Sequence, residues 1–325
     1  MIWRPLALAL TTASIAFAAA PAPTPAPAPT LPVQDWTNIE SVTVTAPPPG
    51  PALWHIQKGN SDVWILATVG PLPKGLTWDS SEVAGLMKGA NAVLLPPRGQ
   101  VGFFEGSWFL LTSLSTLEQP DGTTLESTLP EPLKSRFIAT RKRIDEDADR
   151  YDSYLGGVAA LRLESDYWDH AKLTPYEPQN TIEHLASHAG ASARPVAEYP
   201  AMSVVKDVPK MSPQAHLRCM EYAIGDIEGQ EAHAVAAAQA WATGNLAVVK
   251  ANYVETKLDD CFQQNNAYAA LRETAIRDMT NAIVAALNKP GRTVVAMPMG
   301  FLLRKGAVLE RLEAAGLTVQ GPPGG

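Results

Sequence analysis

The stretch from Asp62 to Val69, Asp-Val-Trp-Ile-Leu-Ala-Thr-Val, constrains the fold more than any other part of this chain. Val63, Ile65 and Val69 are β-branched and Trp64 is aromatic, so the run reads as a strand buried on both faces, inside a sheet. It stops at Gly70-Pro71. Backbone that leaves a buried strand through Gly and Pro emerges at a sheet edge, where α/β proteins commonly carry their chemistry.

The rest of the chain falls into place around that strand. Leu53–Gln57 precedes it across Lys58-Gly-Asn-Ser61, which reads as a hairpin turn. A helix from Ser80 to Lys88, capped by Ser80, and a second apolar strand from Asn91 to Leu95 follow. Strand, helix and strand make a βαβ unit with its strands as parallel neighbours. Pro130–Ile144, Asp152–Ala171, Pro178–His188, Pro213–Thr243, Leu246–Thr256 and Ala267–Leu287 then repeat apolar residues at helical spacing, interrupted by one strand, Ala193–Tyr199. The end returns to the opening plan: a strand at Arg292–Met297, a turn at Met299-Gly300, a helix over Leu302–Ala315 and a final strand at Leu317–Gln320. The expected fold is α/β (α+β), a central mixed sheet from N- and C-terminal βαβ-like units with a large helical insertion. The exits at Val69-Gly70 and Met299-Gly300 are candidates for one shared cleft.

Composition narrows the function classes. The chain has 325 residues, 46% hydrophobic and 18% charged, with a formal charge of −7 and no basic run carrying aromatics. That excludes a nucleic-acid partner. Met1–Ala18 has Arg4, an apolar stretch from Leu6 to Ile15 and small residues at Ala16-Phe17-Ala18, the parts of a signal peptide. The stretch is shorter than the roughly 20 residues a spanning helix needs, and no other segment spans, so no transmembrane segment is expected after cleavage. Residues 19–51 are a linker rich in Pro and Ala, and 52–325 is the folded domain. The expected location is periplasmic or secreted. Cys219 and Cys261, two cysteines in an exported chain, are expected to pair, with two buried free thiols as the alternative.

Leu53-Trp-His-Ile-Gln57, Asp62–Trp78, the Ala193–Glu198 strand and the Val294–Val319 tail, in this order around a helical middle, resemble the TraB/GumN family, itself similar to the Tiki proteases. The resemblance implies a G-x-x-H motif at the end of the first core strand, an acidic residue after the next, and a second G-x-x-H near the C-terminus. Two imidazoles and a carboxylate from separate strand ends can hold one divalent metal and leave a position for water. Here the first motif falls on Ala67-Thr68-Val69-Gly70, the acidic position on Pro96 or Pro97, and the second motif on Met297-Pro298-Met299-Gly300. Both histidines have become glycine. An Arg-Asn pair of the family falls on Ala275-Ile276, and Glu198 is the one matching acid that remains.

Gly and Pro side chains neither bind a metal nor shuttle a proton. The resemblance therefore implies a non-catalytic relative with no cofactor. Its cleft, lined by Thr68, Gly70, Pro96, Met297, Met299, Gly300 and Phe301, suits a peptide or apolar ligand. The alternative is a metal-dependent hydrolase or peptidase whose Mn, Co or Zn is held differently, by Glu198 with His55, His184 or His188.

His184 and His188 stand four apart beside Glu183, but Leu185 takes the place where a zinc-protease helix needs Glu, so the pair reads as a solvated helix face. His55 reads as a hydrogen-bonded strand residue. Asp145-Glu146-Asp147 with Asp149 lacks the Gly and distal Glu of a calcium loop and reads as a solvated connection, paired with Arg136, Arg141, Lys142 and Arg143.

Overall fold

The computed structural model describes residues 50–175, 177–262 and 265–322. The expected signal peptide, residues 1–18, and residues 19–49 of the expected linker lie outside the described residues. In chain order the strands are β1 (Leu53–Lys58), β2 (Ser61–Thr68), β3 (Leu72–Pro73), β4 (Ala92–Leu95), β5 (Arg98–Gln100), β6 (Leu173–Thr174), β7 (Ala193–Pro195), β8 (Glu198–Pro200) and β9 (Gly291–Pro298). The helices are α1 (Ser81–Met87), α2 (Phe103–Thr112), α3 (Leu125–Thr128), α4 (Leu133–Arg143), α5 (Asp149–Asp152), α6 (Gly156–His170) and α7 (Glu177–His188). They continue with α8 (Met202–Asp207), α9 (Pro213–Ala242), α10 (Leu246–Asn252), α11 (Leu258–Phe262), α12 (Asn266–Ala286), α13 (Met299–Leu303) and α14 (Val308–Ala314).

A five-stranded mixed sheet has the order β1-β2-β9-β4-β7. β1 and β2 form the expected antiparallel hairpin, with Gly59 at φ 59° supplying the positive φ of a two-residue turn. The remaining neighbours are parallel. β9 has five consecutive buried residues, Thr293–Met297, and takes the centre. β2 and β4 are therefore separated by β9 and are not the parallel neighbours expected of a simple βαβ unit. Within β2, Asp62 and Trp64 are only half-buried, so the strand is enclosed on both faces only over Ile65–Ala67. Burying a Val, Leu or Ile side chain contributes about 1.5–3 kcal/mol, so this central pair dominates the sheet's stability.

Several element ends differ from the sequence expectation. α1 is opened by Asp79, whose Oδ1 accepts from Ser81 N at 2.9 Å, and the Ser80 side chain makes no cap bond. The single strand expected over Ala193–Tyr199 is two, β7 and β8, and β8 pairs with β5 in a separate small sheet. The helix expected over Asp152–Ala171 breaks between α5 and α6. Met299-Gly300 is not a turn but the start of α13, and the expected C-terminal helix is broken between α13 and α14. Leu317–Gln320 makes only an isolated bridge, Gln320 with His55, because Pro322 follows and offers no donor to prolong a ladder.

The helical insertion builds a second core from Phe137, Tyr151, Leu163, Tyr167, Met220 and Ile224 among others. α9 joins the two cores. Its 30 residues span about 45 Å, with Cys219–Ile227 in the helical core and Ala238–Trp241 in the sheet core. Ser212 Oγ accepts from Ala215 N at 3.2 Å with Pro213 in the first turn, which fixes its start. At its far end Trp241 Nε1 donates to the Ala67 carbonyl at 2.8 Å, tying the helix to the carboxyl end of β2. Cys219 and Cys261 form a disulfide between α9 and α11 across a separation of 42 residues, which in the chain-entropy account stabilises by about 2–4 kcal/mol.

The arginines of α4 do not pair with Asp145, Asp147 or Asp149. Arg136 pairs with Glu228 and Arg143 with Glu231 on α9, and Arg141 with Glu126. Among the described residues no helix is long and apolar enough to cross a membrane.

Candidate functional site

The parallel register runs from Ser61 opposite Gly291 to Thr68 opposite Pro298, so β2 and β9 end side by side. Their exits open into one cleft of about 250 Å³. Thr68, Val69, Gly70 and Pro71 line it from β2, and Pro298, Gly300 and Phe301 from β9 and α13. The helical insertion closes it with Trp168, Gln230, Glu255, Thr256, Asp259 and Arg272.

Of the residues expected there, Thr68, Gly70, Gly300 and Phe301 line the cleft, and Met297 and Met299 do not. Both methionines are packed into the sheet core, 0% and 1% exposed, because the inward face of β9 and the first turn of α13 carry them away from the opening. Pro96 ends β4 outside the lining set. Glu198 is exposed on β8, in register with Arg98. His55 stacks on Trp64 at 4.1 Å and its Nε2 lies 3.0 Å from Asp62 Oδ1, a local strand contact. His184 and His188 are exposed on α7. His184 and His188 meet each other on α7, but no group of three or more His, Cys, Asp or Glu among the described residues is arranged to hold a metal, so neither Glu198 nor His55 completes one.

What fills the site instead was not legible at the motif positions. A Cβ at Gly300 would stand against Glu255, inside contact distance of Oε1 and 3.3 Å from Cδ. Glu255 is held there by an ion pair with Arg304, at the break after α13. The Gly300 N–H donates to the buried Tyr253 hydroxyl. A side chain at position 300 therefore requires the Glu255 carboxylate, and with it the ion pair to Arg304, to move. Position 70 differs: a Cβ there would meet only Pro175 backbone, at 3.8 Å, an ordinary contact. A sequence signal did exist, since Thr256-Lys-Leu-Asp259 has the S/T-x-x-D/E form that opens a helix and marks the chain from Tyr253 to Thr256 as the approach to α11.

The cleft carries charge of both signs, with Glu255, Asp259 and Arg272 in its lining. Arg304 also approaches Asp260 Oδ1 at 4.0 Å, and Arg272 Nη1 lies 3.6 Å from the same oxygen. Asp259 accepts from the Tyr268 hydroxyl. Asp226, 2% exposed, accepts from Thr256 Oγ1 at 2.7 Å and Leu258 N at 2.8 Å, fixing the loop that carries Glu255. Trp168 Nε1 donates to Gln230 Oε1 at 2.8 Å, and Gln230 Nε2 donates to Glu164 Oε1 at 3.2 Å. Burial raises Glu255 and Asp226, against the Arg304 cation in the first case and their hydrogen bonds in both. The surrounding protein raises Asp259 too, although its side chain stays open to water, which screens the effect. Glu164, 5% exposed, is pushed up to about 8 by burial and then by the Asp226 charge.

A divalent metal does not fit the family positions as they stand. Gly70, Gly300 and Pro96 offer no side-chain donor atom, and the carboxylate over Gly300 is already neutralised by a guanidinium.

Residues 52–321 match the profile of the TraB/PrgY/gumN family. The chain belongs to that family. No curated protein and no solved structure gave a significant match.

Two predictions follow from this packing. Gly300→Ala destabilises the fold by about 1–3 kcal/mol in chemical denaturation, the usual cost of overpacking, whereas Gly70→Ala costs under about 0.5 kcal/mol. In a Glu255→Ala background the Gly300→Ala penalty shrinks, and additive effects would contradict the contact. The second concerns pH. Folded Glu164 keeps a proton between about 4.5 and about 8 that the unfolded chain has lost, so its contribution to stability falls as pH rises through that window. Glu164→Gln keeps the acceptor for Gln230. It should exceed the natural chain in stability by about 2–4 kcal/mol near pH 9, with the difference vanishing near pH 4, measured by urea denaturation at both.

Proposed function

We propose that this chain is an exported member of the TraB/PrgY/gumN family that binds a ligand in the cleft at the ends of β2 and β9 and does not hydrolyse it with a metal. The observation that carries the reading is the Glu255–Arg304 ion pair over Gly300. It occupies the place where a ligating side chain would project. Export is supported by the apolar segment Leu6–Ile15 before Ala16-Phe17-Ala18 and by the disulfide, and it puts the protein in the periplasm or outside the cell.

Trp168, Phe301, Pro71, Pro175 and Pro298 give the cleft flat apolar walls, while Gln230, Thr256 and Arg272 add polar groups among them. That combination suits a short peptide with one apolar side chain, in a volume of about 250 Å³ that admits little more. A set of capped dipeptides, one per side-chain class, tested by ligand-observed NMR should yield binders with an apolar side chain. Their signal should disappear with Phe301→Ala. Turnover of a peptide or ester panel by protein loaded with Mn²⁺, Co²⁺ or Zn²⁺, abolished by Glu255→Gln, would instead establish the hydrolase.

A further inference from the structure

α7 is anchored by Ile182 and Ala186, both 0% exposed, and presents His184 and His188 to solvent one turn apart. Their Nε2 atoms are 3.3 Å apart and the rings are tilted by 60° with centroids 4.3 Å apart. Two lone pairs this close repel each other unless a proton or a cation lies between them. Zinc bound at about 2.0–2.1 Å by two nitrogens of a tetrahedron requires those nitrogens to be about 3.3–3.4 Å apart. The rings already stand at that separation, on a helix whose buried face holds its backbone in place.

We propose that His184 and His188 form a surface site for one borderline divalent cation of the zinc class, bound through both Nε2 atoms. Imidazole donors favour zinc, nickel and copper over magnesium and calcium, which require oxygen. Glu183, the nearest acid in sequence, is committed to Arg98 and to Gln179 Nε2 at 3.1 Å, so it does not add a third ligand. Two of the metal's four positions therefore remain open to water or to a donor from another molecule. Each ring must carry its proton on Nδ1 for Nε2 to bind. The site shares no residue with the cleft and does not depend on the reading of the cleft.

The test is isothermal titration of untagged protein with Zn²⁺, with Mg²⁺ as the control, on the natural chain and on His184→Asn and His188→Asn. Both positions are exposed, so the variants keep the fold, which circular dichroism verifies. One Zn²⁺ site per chain, weakened at least about tenfold in either variant and absent with Mg²⁺, is the expected result, since losing one of two donors removes half of the protein's bonds to the ion. A natural chain that takes up no Zn²⁺, or variants that bind it as well as the natural chain, would overturn the proposal.

Discussion

The parallel pairing of β2 with β9 is the interaction on which the rest of the structure depends. Eight register pairs, from Ser61 with Gly291 to Thr68 with Pro298, bring together strands from the two ends of the domain. A slip of one residue would exchange the faces of every side chain in the pair, so the buried run from Val294 to Met297 enforces the register. The same register makes Gly70 and Gly300 neighbours at one sheet edge. All of the helical insertion lies in sequence between these strands, and it is the insertion that walls the cleft they open.

α9 transmits that arrangement. One end belongs to the helical core and carries the disulfide to α11, while the other donates from Trp241 to the Ala67 carbonyl at the carboxyl end of β2. Between them Asp226 and Gln230 face the cleft loop and Trp168. Buried carboxylates at this junction lower stability relative to apolar side chains of similar size. Such departures from a well-satisfied core concentrate where a protein does its work, which is why the loop from Tyr253 to Asp260 draws the functional reading.

Much of the sheet was legible in the residues. The stretches Asp62–Val69 and Arg292–Met297 read as inner strands because each sets β-branched residues in a short apolar run that ends at a Gly or Pro break. Their adjacency was not, since periodicity within a strand says nothing about which neighbour it takes, and β9 displaced β4 from β2. That glycine stands at positions 70 and 300, where the resemblance leads one to expect histidine, could be read directly. What replaced it could not, because Glu255 and Arg304 are remote in sequence from β2 and meet over Gly300 only through the fold of the α10–α11 loop. The methionines beside Gly300 misled for a related reason: Met297 and Met299 flank the opening in sequence yet face the core.

The proposal that the cleft holds no metal rests on the glycine and proline at residues 70, 71, 298 and 300 that line it and on the pairing of Glu255, the carboxylate over Gly300, with Arg304. The claim is tested most directly by elemental analysis of the His184→Asn/His188→Asn protein after incubation with Mn²⁺, Co²⁺ and Zn²⁺ and desalting. Removing the surface histidines leaves the cleft as the place where a retained ion would be informative. The account predicts that no stoichiometric metal survives desalting. One retained equivalent per chain that disappears with Glu255→Gln would contradict it and return the cleft to hydrolytic chemistry.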